Sequence, residues 1–378
     1  MASELRVDQL KYSSAGSGTT PNITLNSNGT VNFGSNIDIG GSLLVQGAPF
    51  TTLPTQYASG ENSTVGAVLK SDGTNAFWET SVSFEDGFNI TKGYPIAGYR
   101  GGSSWRNVNR CTHSTQSMAN LGDQITYSDA YTAGARNSAG RAYVFCTANG
   151  WNSTGNAVST FNMVSESNGG TSTNMSTSRN RTSVMQRDFK YAYVCGNNND
   201  RPDRFDLTND GVTTVSGSGG SGGDNPACGY GEKYGWYKQG GNGYSFAWAT
   251  ESWSSWNNRP GTDGTNKTWS TRKGHSYWNE SGGYQTNTAL TRRNDETGSN
   301  LGSVGKPGTT GEETNHTGMS YGFMNGMYNG QQNNQGGWIN LSSHSFSWNG
   351  SLNSTGTSGR ASGAAVEWGT LASGYTGI

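Results

Sequence analysis

The stretch Tyr191-Ala-Tyr-Val-Cys-Gly196 places a glycine five residues after a tyrosine, and Tyr277–Gly282 and Tyr321–Gly326 repeat this spacing. Looser copies begin at Tyr94, Tyr143 and Gly235, so that the six first residues are separated by 49, 48, 44, 42 and 44 residues. A period of this size is typical of an array of similar supersecondary units. The sequence therefore predicts a body built from copies of one blade.

Each copy is followed by an alternating apolar and polar strand and then by a turn dipeptide. The pairs are Arg204-Phe-Asp-Leu207 with Asp210-Gly211, Ser159-Thr-Phe-Asn-Met-Val164 with Asn168-Gly169, and Ser345-Phe-Ser-Trp348 with Asn349-Gly350. Such dipeptides accept a positive φ and favour two-residue hairpins, so we expect each unit to be an antiparallel meander. A third segment carries a basic residue, around Arg136, Arg181, Arg272 or Arg360.

Meanders of this length, repeated about six times, predict an all-β fold with a propeller-like body of about six blades. A β-solenoid would have shorter rungs, and a linear array would need polar caps at both ends. The first unit has no basic segment just before Tyr94, whereas the chain ends after the basic segment Gly359-Arg-Ala-Ser-Gly363, so the C-terminus is expected to complete the first blade. Alternatively, Val366-Glu-Trp-Gly369 begins a seventh inner strand, and the blade number is six or seven.

The composition is polar, but it includes enough aromatic residues to form a hydrophobic core. Only 31% of the residues are hydrophobic and 58 are glycine, but the chain has 12 Trp, 18 Tyr and 12 Phe. Each aromatic side chain can bury about 150–250 Å². Many short strands joined by polar turns fit this balance.

Residues 1–80 contain no copy of the repeat. Short alternating segments at Ile23-Thr-Leu25, Val31-Asn-Phe33, Ile37-Asp-Ile39 and Leu43-Leu-Val45 predict strands separated by turns. So few large side chains make a free domain of this size marginal, so we expect it to pair with other copies or with a larger assembly. The expected domains are an attachment and oligomerisation region at 1–80 and a propeller-like repeat domain at 81–378.

Charge and hydropathy exclude several classes of protein. The net charge of −1, with 13% charged residues, disfavours binding to nucleic acid. The N-terminus lacks the apolar region of a signal peptide, and no stretch approaches the roughly 18 apolar residues of a membrane span, so we expect neither secretion nor membrane insertion. Cys111, Cys146, Cys195 and Cys228 lack zinc-site spacing and are expected to be free, buried thiols. Cys146 and Cys195 are expected to occupy equivalent strand positions in neighbouring blades.

The densest aromatic cluster lies between Trp236 and Trp269 and is interleaved with Asn, Ser and Gly. Aromatic rings beside amide and hydroxyl groups can bind sugars, although roughly half of the rings in alternating strands must point into a core. Trp253 and Trp256 lie in the turn-rich stretch Ser252-Trp-Ser-Ser-Trp-Asn-Asn-Arg-Pro260. They are therefore the candidates for a glycan-binding surface, with core packing as the alternative.

No catalytic residues are predicted, and we expect a protein that is not an enzyme and has no cofactor or metal site. His275 aligns with Met319 in the repeat, which favours a structural role for it. Glu312 and Glu313 are adjacent, which is a poor arrangement for a glycosidase pair. Carboxylates at Asp203, Asp206 and Asp210 suit calcium chemistry, but hairpin turns explain them without a metal.

Two segments resemble sequences that are common in tail-fibre and other virion structural proteins of tailed bacteriophages, notably the phages of marine cyanobacteria. They are Glu4-Leu-Arg-Val-Asp-Gln-Leu10 and Gly66-Ala-Val-Leu-Lys-Ser-Asp-Gly-Thr-Asn-Ala-Phe-Trp78. The later repeats resemble kelch-like or regulator-of-chromosome-condensation-like propellers, whose glycine pair is complete at Gly101-Gly102, Gly240-Gly241 and Gly282-Gly283. The resemblance implies a homo-oligomer, with a trimer favoured, that attaches to other virion proteins through residues 1–80.

The expected function is that of a virion structural protein, a tail or neck fibre, made in the bacterial cytoplasm and located in the virion. Its propeller is displayed outward and binds host surface polysaccharide. One alternative is a purely structural assembly or decoration protein of the neck, collar or tail. A glycan-depolymerising tailspike is less favoured, because the sequence offers no pair of catalytic carboxylates.

Overall fold

A computed structural model of the chain describes 23 segments, and contacts between Cα atoms separate residues 1–81 from residues 82–376. The described residues are 9–10, 23–25, 31–33, 68–71, 76–79, 88–97, 99–100, 103–104, 106–127, 132–147, 154–186, 188–197, 199–216, 227–231, 233–239, 242–257, 268–270, 274–279, 287–310, 314–317, 321–325, 336–348 and 364–371. The two units are described one at a time.

The N-terminal unit contains a three-stranded antiparallel sheet and a hairpin. The sheet consists of β1 Gln9–Leu10, β2 Ile23–Leu25 and β3 Val31–Phe33, and the hairpin of β4 Val68–Ser71 and β5 Ala76–Glu79. The strands predicted at 23–25 and 31–33 are confirmed. Those predicted at 37–39 and 43–45 lie outside the described residues.

The second unit is a six-bladed β-propeller, and its described residues form strands and turns without a helix. Blade 1 contains β6 Phe88–Ile96, β9 Asn107–Thr112 and β10 Ser117–Asp123, with the hairpin β7 Tyr99–Arg100 and β8 Ser103–Ser104 between β6 and β9. Blade 2 contains β11 Ala133–Arg136, β12 Arg141–Thr147, β13 Ala157–Asn162 and β14 Ser167–Thr171. Blade 3 contains β15 Asn180–Gln186, β16 Tyr191–Asn197, β17 Asn199–Asp206 and β18 Gly211–Thr214.

The remaining blades follow the same plan of four antiparallel strands. Blade 4 contains β19 Ala227–Tyr230, β20 Tyr234–Gln239, β21 Asn242–Ala247 and β22 Ser252–Ser255. Blade 5 contains β23 Thr268–Ser270, β24 His275–Asn279, β25 Asn287–Asn294 and β26 Asn300–Thr310. Blade 6 contains β27 Thr314–Thr317, β28 Tyr321–Asn325, β29 Gly336–Asn340 and β30 Phe346–Trp348. In the described part of the chain, no helix has the length and apolarity needed to span a bilayer.

The last strand closes the ring. β31 Ala364–Leu371 pairs antiparallel with β6, with Val366 opposite Tyr94, and is the innermost strand of blade 1. Neighbouring inner strands are in contact all the way around, from β31 through β11, β15, β19, β23 and β27 back to β31. The expectation that the C-terminal part completes the first blade is confirmed. The alternative that Val366–Gly369 begins a seventh blade is wrong, because this segment lies in the closing strand.

Small residues allow the inner strands to approach one another closely. A Cβ atom at Gly134 in β11 would lie 2.9 Å from Cγ1 of Val366 in the neighbouring blade. A Cβ atom at Gly229 in β19 would lie 2.7 Å from Cζ2 of Trp278 in blade 5. Because real Cβ contacts are longer than this, a side chain at either position would push two blades apart.

The strand pairing corrects the register of the sequence repeat. The residues that occupy one equivalent position on the second strand of each blade are Tyr94, Tyr143, Tyr193, Trp236, Tyr277 and Phe323, called border residues below. The sequence alignment chose Tyr191 and Tyr321, which lie two residues earlier, and Gly235, which lies one residue earlier. A shift of two residues keeps a side chain on the same face of a strand, so the alternation could not reveal the error.

The same correction applies to two other alignments. Cys195 pairs with Ser183 as Phe145 pairs with Ala133, so Cys195 is equivalent to Phe145 and not to Cys146. His275 pairs with the last residue of the third strand, as Tyr321 does, so it is not equivalent to Met319. Cys111, Cys195 and Cys228 are free and buried, as predicted. The side chain of Cys146 lies outside the described residues.

The turns between the third and fourth strands are longer than the two-residue hairpins that the dipeptides suggested. Asp206 pairs with Gly211 across a four-residue turn that ends at Asp210. The turn predicted at Asn168-Gly169 is wrong, because these residues lie within β14 at a shift of register opposite Thr160 and Phe161. Asn349-Gly350 lies outside the described residues.

Antiparallel order places the connections of the propeller at two faces. On the turn face, the first strand joins the second in blades 2 to 6 and the third joins the fourth in all six blades, in each case through three to five residues. On the loop face, the second strand joins the third and the fourth joins the next blade through one to fifteen residues. Phe88 at the start of β6 pairs with Leu371 at the end of β31, so the chain enters and leaves the propeller at the turn face.

The closing strand predicts an asymmetry between two valines. Val366 is 2% exposed and packs between blades 1 and 2, so Val366→Ala should lower the free energy of unfolding by about 2 kcal/mol through lost burial and the cavity left behind. Val164→Ala is the matched control, because Val164 is 64% exposed and the change should fall within about 0.5 kcal/mol. Urea denaturation measures both values. Equal effects would contradict the closing role of β31.

Candidate functional site

One contact recurs where neighbouring blades meet on the turn face. The border residue of one blade reaches the turn between the third and fourth strands of the next. Tyr143 Oη lies 3.0 Å from both the carbonyl oxygen of Leu207 and Oδ1 of Asp210, acceptors that share its single proton. Tyr94 contacts the carbonyl of Met163 at 3.2 Å and Oε1 of Glu166 at 3.0 Å in the same way.

The acceptor in these turns is a residue with left-handed backbone, called the apex residue below. The six apex residues and their φ angles are Gln116 (51°), Glu166 (54°), Asp210 (60°), Glu251 (49°), Gly298 (67°) and His344 (56°). Side chains at the start of the turn hold this conformation: Asn162 Oδ1 accepts the amides of Val164 and Ser165, and Asn340 does the same for Ser342 and Ser343. The apex side chain is thereby aimed at the border residue of the preceding blade.

Three borders hold a carboxylate between a tyrosine and a cation. Glu166 pairs with Lys92 at 2.9 Å and Arg110 at 2.6 Å. Burial raises the pKa of Glu166, but hydrogen bonds from Lys92 and Tyr94 and the charges of Lys92 and Arg110 bring it below its usual value. The other two pairs are Arg141 with Asp210 at 2.9 Å and Arg204 with Glu251 at 2.6 Å. Burial also raises the pKa of Tyr94, Tyr143 and Tyr193, so these hydroxyls stay protonated as donors.

The border between blades 4 and 5 uses tryptophan in place of the tyrosine and the acid. Trp236 Nε1 donates to the carbonyl oxygen of Asp295 at 2.5 Å, and the apex residue is Gly298. Trp256 packs in the space that an apex side chain would need, since a Cβ atom at Gly298 would lie 2.5 Å from Trp256 Nε1 and 2.8 Å from Trp236 Cζ3. Glycine at 298 is therefore required by the rings as well as by the backbone.

The two sequence candidates for sugar binding lie in different environments. Trp256 is 5% exposed, packs with Trp236 and Trp278, and donates from Nε1 to the carbonyl of Gly298 at 3.3 Å. Its expected place in an exposed loop is wrong, because it fills the border between blades 4 and 5. Trp253 is partly buried in the outermost strand β22, where its ring lies 4.7 Å from that of Phe246 and 6.0 Å from that of Tyr237.

The three aspartates considered for calcium point to different partners. Asp203 is fully buried and pairs with buried Arg179 at 2.9 Å, with hydrogen bonds from Ser176 and Thr214. Asp206 accepts hydrogen bonds from Thr208, and Asp210 is the apex residue paired with Arg141. Within the described residues, no group of three metal-ligating side chains converges. Two turns share a pattern that was missed in the sequence, an Asx residue followed four positions later by an acid: Asn162 with Glu166, and Asp206 with Asp210.

Histidines occupy both borders of blade 6. His344 is the apex residue opposite Tyr277, whose Oη lies 2.8 Å from His344 Nδ1. His113 is the first turn residue of blade 1, and its ring stacks on Phe323 at 4.6 Å and 14°. His275 lies beside His344 with ring centroids 5.2 Å apart. The side chain of His316, together with Glu312 and Glu313, lies outside the described residues.

The loop face is the remaining candidate for binding, because its connections differ from blade to blade. Four of those between second and third strands are long, namely 97–106, 148–156, 280–286 and 326–335. In the sequence each contains an aromatic residue: Trp105, Trp151, Tyr284 and Tyr328. The corresponding connections in blades 3 and 4 are residue 198 and residues 240–241. Sequence reasoning missed this grouping, because the connections become comparable only when the strands are assigned.

Comparison with models of protein families and with curated proteins finds no match for this chain.

The tryptophan border predicts a large difference between two glycine substitutions. Gly298→Ala should destabilise the protein by about 3 kcal/mol or more, because its Cβ meets Trp256 and Trp236 in addition to the left-handed strain. Gly274→Ala is the matched control: its φ is 73°, and nothing lies within 4 Å of the added atom, so only the strain of about 1–2 kcal/mol applies. Chemical denaturation of both variants checks the difference. A loss in Gly298→Ala no greater than in the control would contradict the packing.

Proposed function

We propose that this protein is a non-enzymatic virion structural protein, a tail or neck fibre, whose loop face binds a host surface polysaccharide. The observation that carries the proposal is the contrast between the two faces of the propeller. On the turn face, strands within a blade are joined by short turns of three to five residues, whereas connections on the loop face range from one to fifteen residues. Rigid scaffolds with variable loops on one side are a common arrangement for recognition.

Aromatic residues in the loop-face connections support a sugar ligand. The four long connections between second and third strands supply Trp105, Trp151, Tyr284 and Tyr328 beside Asn, Ser and Gly. Flat rings bind the apolar faces of sugars, and neighbouring amides and hydroxyls bind their hydroxyl groups. The low charge of the chain suits a neutral polysaccharide better than a phosphate backbone.

The N-terminal resemblance to virion proteins supports attachment through residues 1–80 to other virion proteins. The chain enters the propeller at Phe88 on the turn face, opposite to the variable connections. The proposal also includes self-association through residues 1–80, with a trimer favoured.

A second candidate is a purely structural role in the neck, collar or tail. One observation favours it: most rings of the densest aromatic cluster, including Trp236, Trp248 and Trp256, are buried in the propeller. In that case the variable connections contact other virion proteins, and the propeller has no carbohydrate ligand.

Binding to host envelope polysaccharide tests the first candidate. We expect the full-length chain to bind, and Trp151→Ala and Trp105→Ala to weaken binding about fivefold each, since one stacked ring is worth about 1 kcal/mol. Val164→Ser on the turn face is the control that should leave affinity unchanged, and Trp253→Ala tests the sequence candidate in β22. If the full-length chain binds none of the host polysaccharides, the result would favour the assembly role. Release of reducing ends would overturn the non-enzymatic assignment.

Light scattering tests the role of the N-terminal segment. The full chain should form an oligomer, with a trimer expected, and a chain lacking residues 1–80 should be a monomer. The physical reason is that so small an apolar content needs a partner to form a stable unit. Monomers in both samples would contradict the oligomerisation proposal without affecting the binding proposal.

A further inference from the structure

Blade 6 differs from the other blades in the chemistry of both its borders. Toward blade 5, the side chain hydrogen-bonded to the tyrosine hydroxyl is His344, where the three preceding tyrosine borders use Glu166, Asp210 and Glu251 as acceptors. The backbone geometry is the same, because φ at His344 is 56° and φ at the three acids lies between 49° and 60°. Only the side chain that meets the tyrosine has changed.

The cation of this border is still present. Arg292 lies opposite Tyr277 in the strand pairing, as Arg204 lies opposite Tyr193. At the border of Tyr193 this arginine pairs with Glu251 at 2.6 Å. At the border of Tyr277 the apex residue is His344, and the centroid of the His275 ring lies 5.2 Å from that of His344. Among the described residues, the groups near His344 are Tyr277, His275 and Arg292, which include no carboxylate.

Toward blade 1, the border residue Phe323 stacks on His113. The equivalent first turn residues of blades 2, 3 and 6 are the buried apolar residues Met163, Leu207 and Leu341. The groups that act on the charge of His113 are the carboxylate of Glu367 in β31 and the backbone carbonyl of Ile90 in β6. The border is thus an apolar contact with a titratable ring in it.

Protonation of either histidine works against its border. When the neutral ring of His344 carries its proton on Nε2, Nδ1 accepts from Tyr277 Oη, and a second proton removes this lone pair. In either tautomer the second proton places a cation beside Arg292. A proton on His113 puts a charge into a mostly buried contact with Phe323, which Glu367 offsets only in part. Opening of the border relieves both penalties by exposing the rings to water.

We propose that blade 6 is an acid-sensitive segment of the propeller, because protonation of His344 and His113 weakens its borders with blades 5 and 1 while the carboxylate borders of blades 1 to 4 persist. The inference does not depend on the proposed function. It concerns the ring itself and applies whichever ligand the loop face binds.

The pKa directions agree with this geometry. Burial lowers the pKa of His113 to about 4, and burial together with the charge of Arg292 lowers that of His344. A histidine whose pKa is depressed in the closed state binds its proton more tightly in the open state. Stability is therefore intact above the ordinary pKa of about 6.5 and falls as the pH drops toward the depressed value. For His113 alone, the opening equilibrium should increase about 30-fold between pH 7.5 and pH 5.0.

Hydrogen exchange of the full-length protein at pH 7.5 and pH 5.0 tests the proposal, with rates corrected for intrinsic exchange. We expect protection factors in β28 and β29 to fall at least about 30-fold at pH 5.0, while those in β12, β13, β16 and β17 change less than about threefold. This pH range lies above the ordinary pKa values of the carboxylates, so that their protonation contributes little.

Matched variants assign the effect to the two rings. His344→Glu copies the border of Arg204 and Glu251, and His113→Leu copies the residue at Leu207. We expect each to reduce the loss of protection at pH 5.0 and the double variant to abolish it. Glu251→His is the converse change, and it should create a new loss of protection at pH 5.0 in β16 and β21.

Two results would overturn the proposal: protection in blade 6 that does not change between the two pH values, or a loss that is equal in all blades. An unchanged loss in the double variant would likewise contradict it. If one variant fails to fold, the wild-type profile and Glu251→His still decide, since neither requires a substitution in blade 6.

Discussion

The pairing of β31 with β6 is the constraint on which the propeller depends. A blade buries its apolar side chains against both neighbours, so an open row of blades would leave one face at each end exposed. One core cluster shows this directly, because it combines Tyr94 and Val366 of blade 1 with Ala142, Val144 and Phe161 of blade 2. Val366 reaches this cluster only because the C-terminal strand returns to the first blade. Local strands and turns form each blade, but the return of about 270 residues of chain completes the core.

Between the blades, one backbone geometry accommodates several kinds of side-chain contact. The turn that carries the left-handed apex residue meets the border residue of the preceding blade, and the side chains in contact there are a carboxylate and a tyrosine, packed tryptophans over a glycine, a histidine and a tyrosine, or a histidine stacked on a phenylalanine. The partly exposed ion pairs of the carboxylate borders contribute little, about 0–1 kcal/mol each. Their larger effect is on registration, since a tyrosine that donates to a turn fixes the angle between two sheets. The side chains that meet at a border can therefore differ from one pair of blades to the next without any change in the backbone geometry of the propeller.

The sequence contains enough information to predict the repeat, the all-β class and the closure by the C-terminus. The period of tyrosines predicts the repeat and the all-β class, and the missing basic segment before Tyr94 predicts the closure by the C-terminus. It does not decide between Tyr191 and Tyr193, because both are aromatic and both point to the same side of their strand. Trp256 illustrates a second limit: turn-forming neighbours suggested exposure, whereas the glycine at 298, 42 residues away, makes room for the ring. Contacts between blades join residues that are far apart in sequence, and composition near one of them does not reveal the other.

If the propeller is held through residues 1–80, as proposed, the position of β6 within its sheet has a mechanical consequence. β6 is not an edge strand, since β9 and β31 flank it on both sides. Tension that enters at Phe88 would run along the strand axis and load two rows of hydrogen bonds in parallel. Bonds loaded in this way must break together, whereas an edge strand pulled from its end peels away one bond at a time. The strand through which such a load would enter the propeller is thus hydrogen-bonded on both sides.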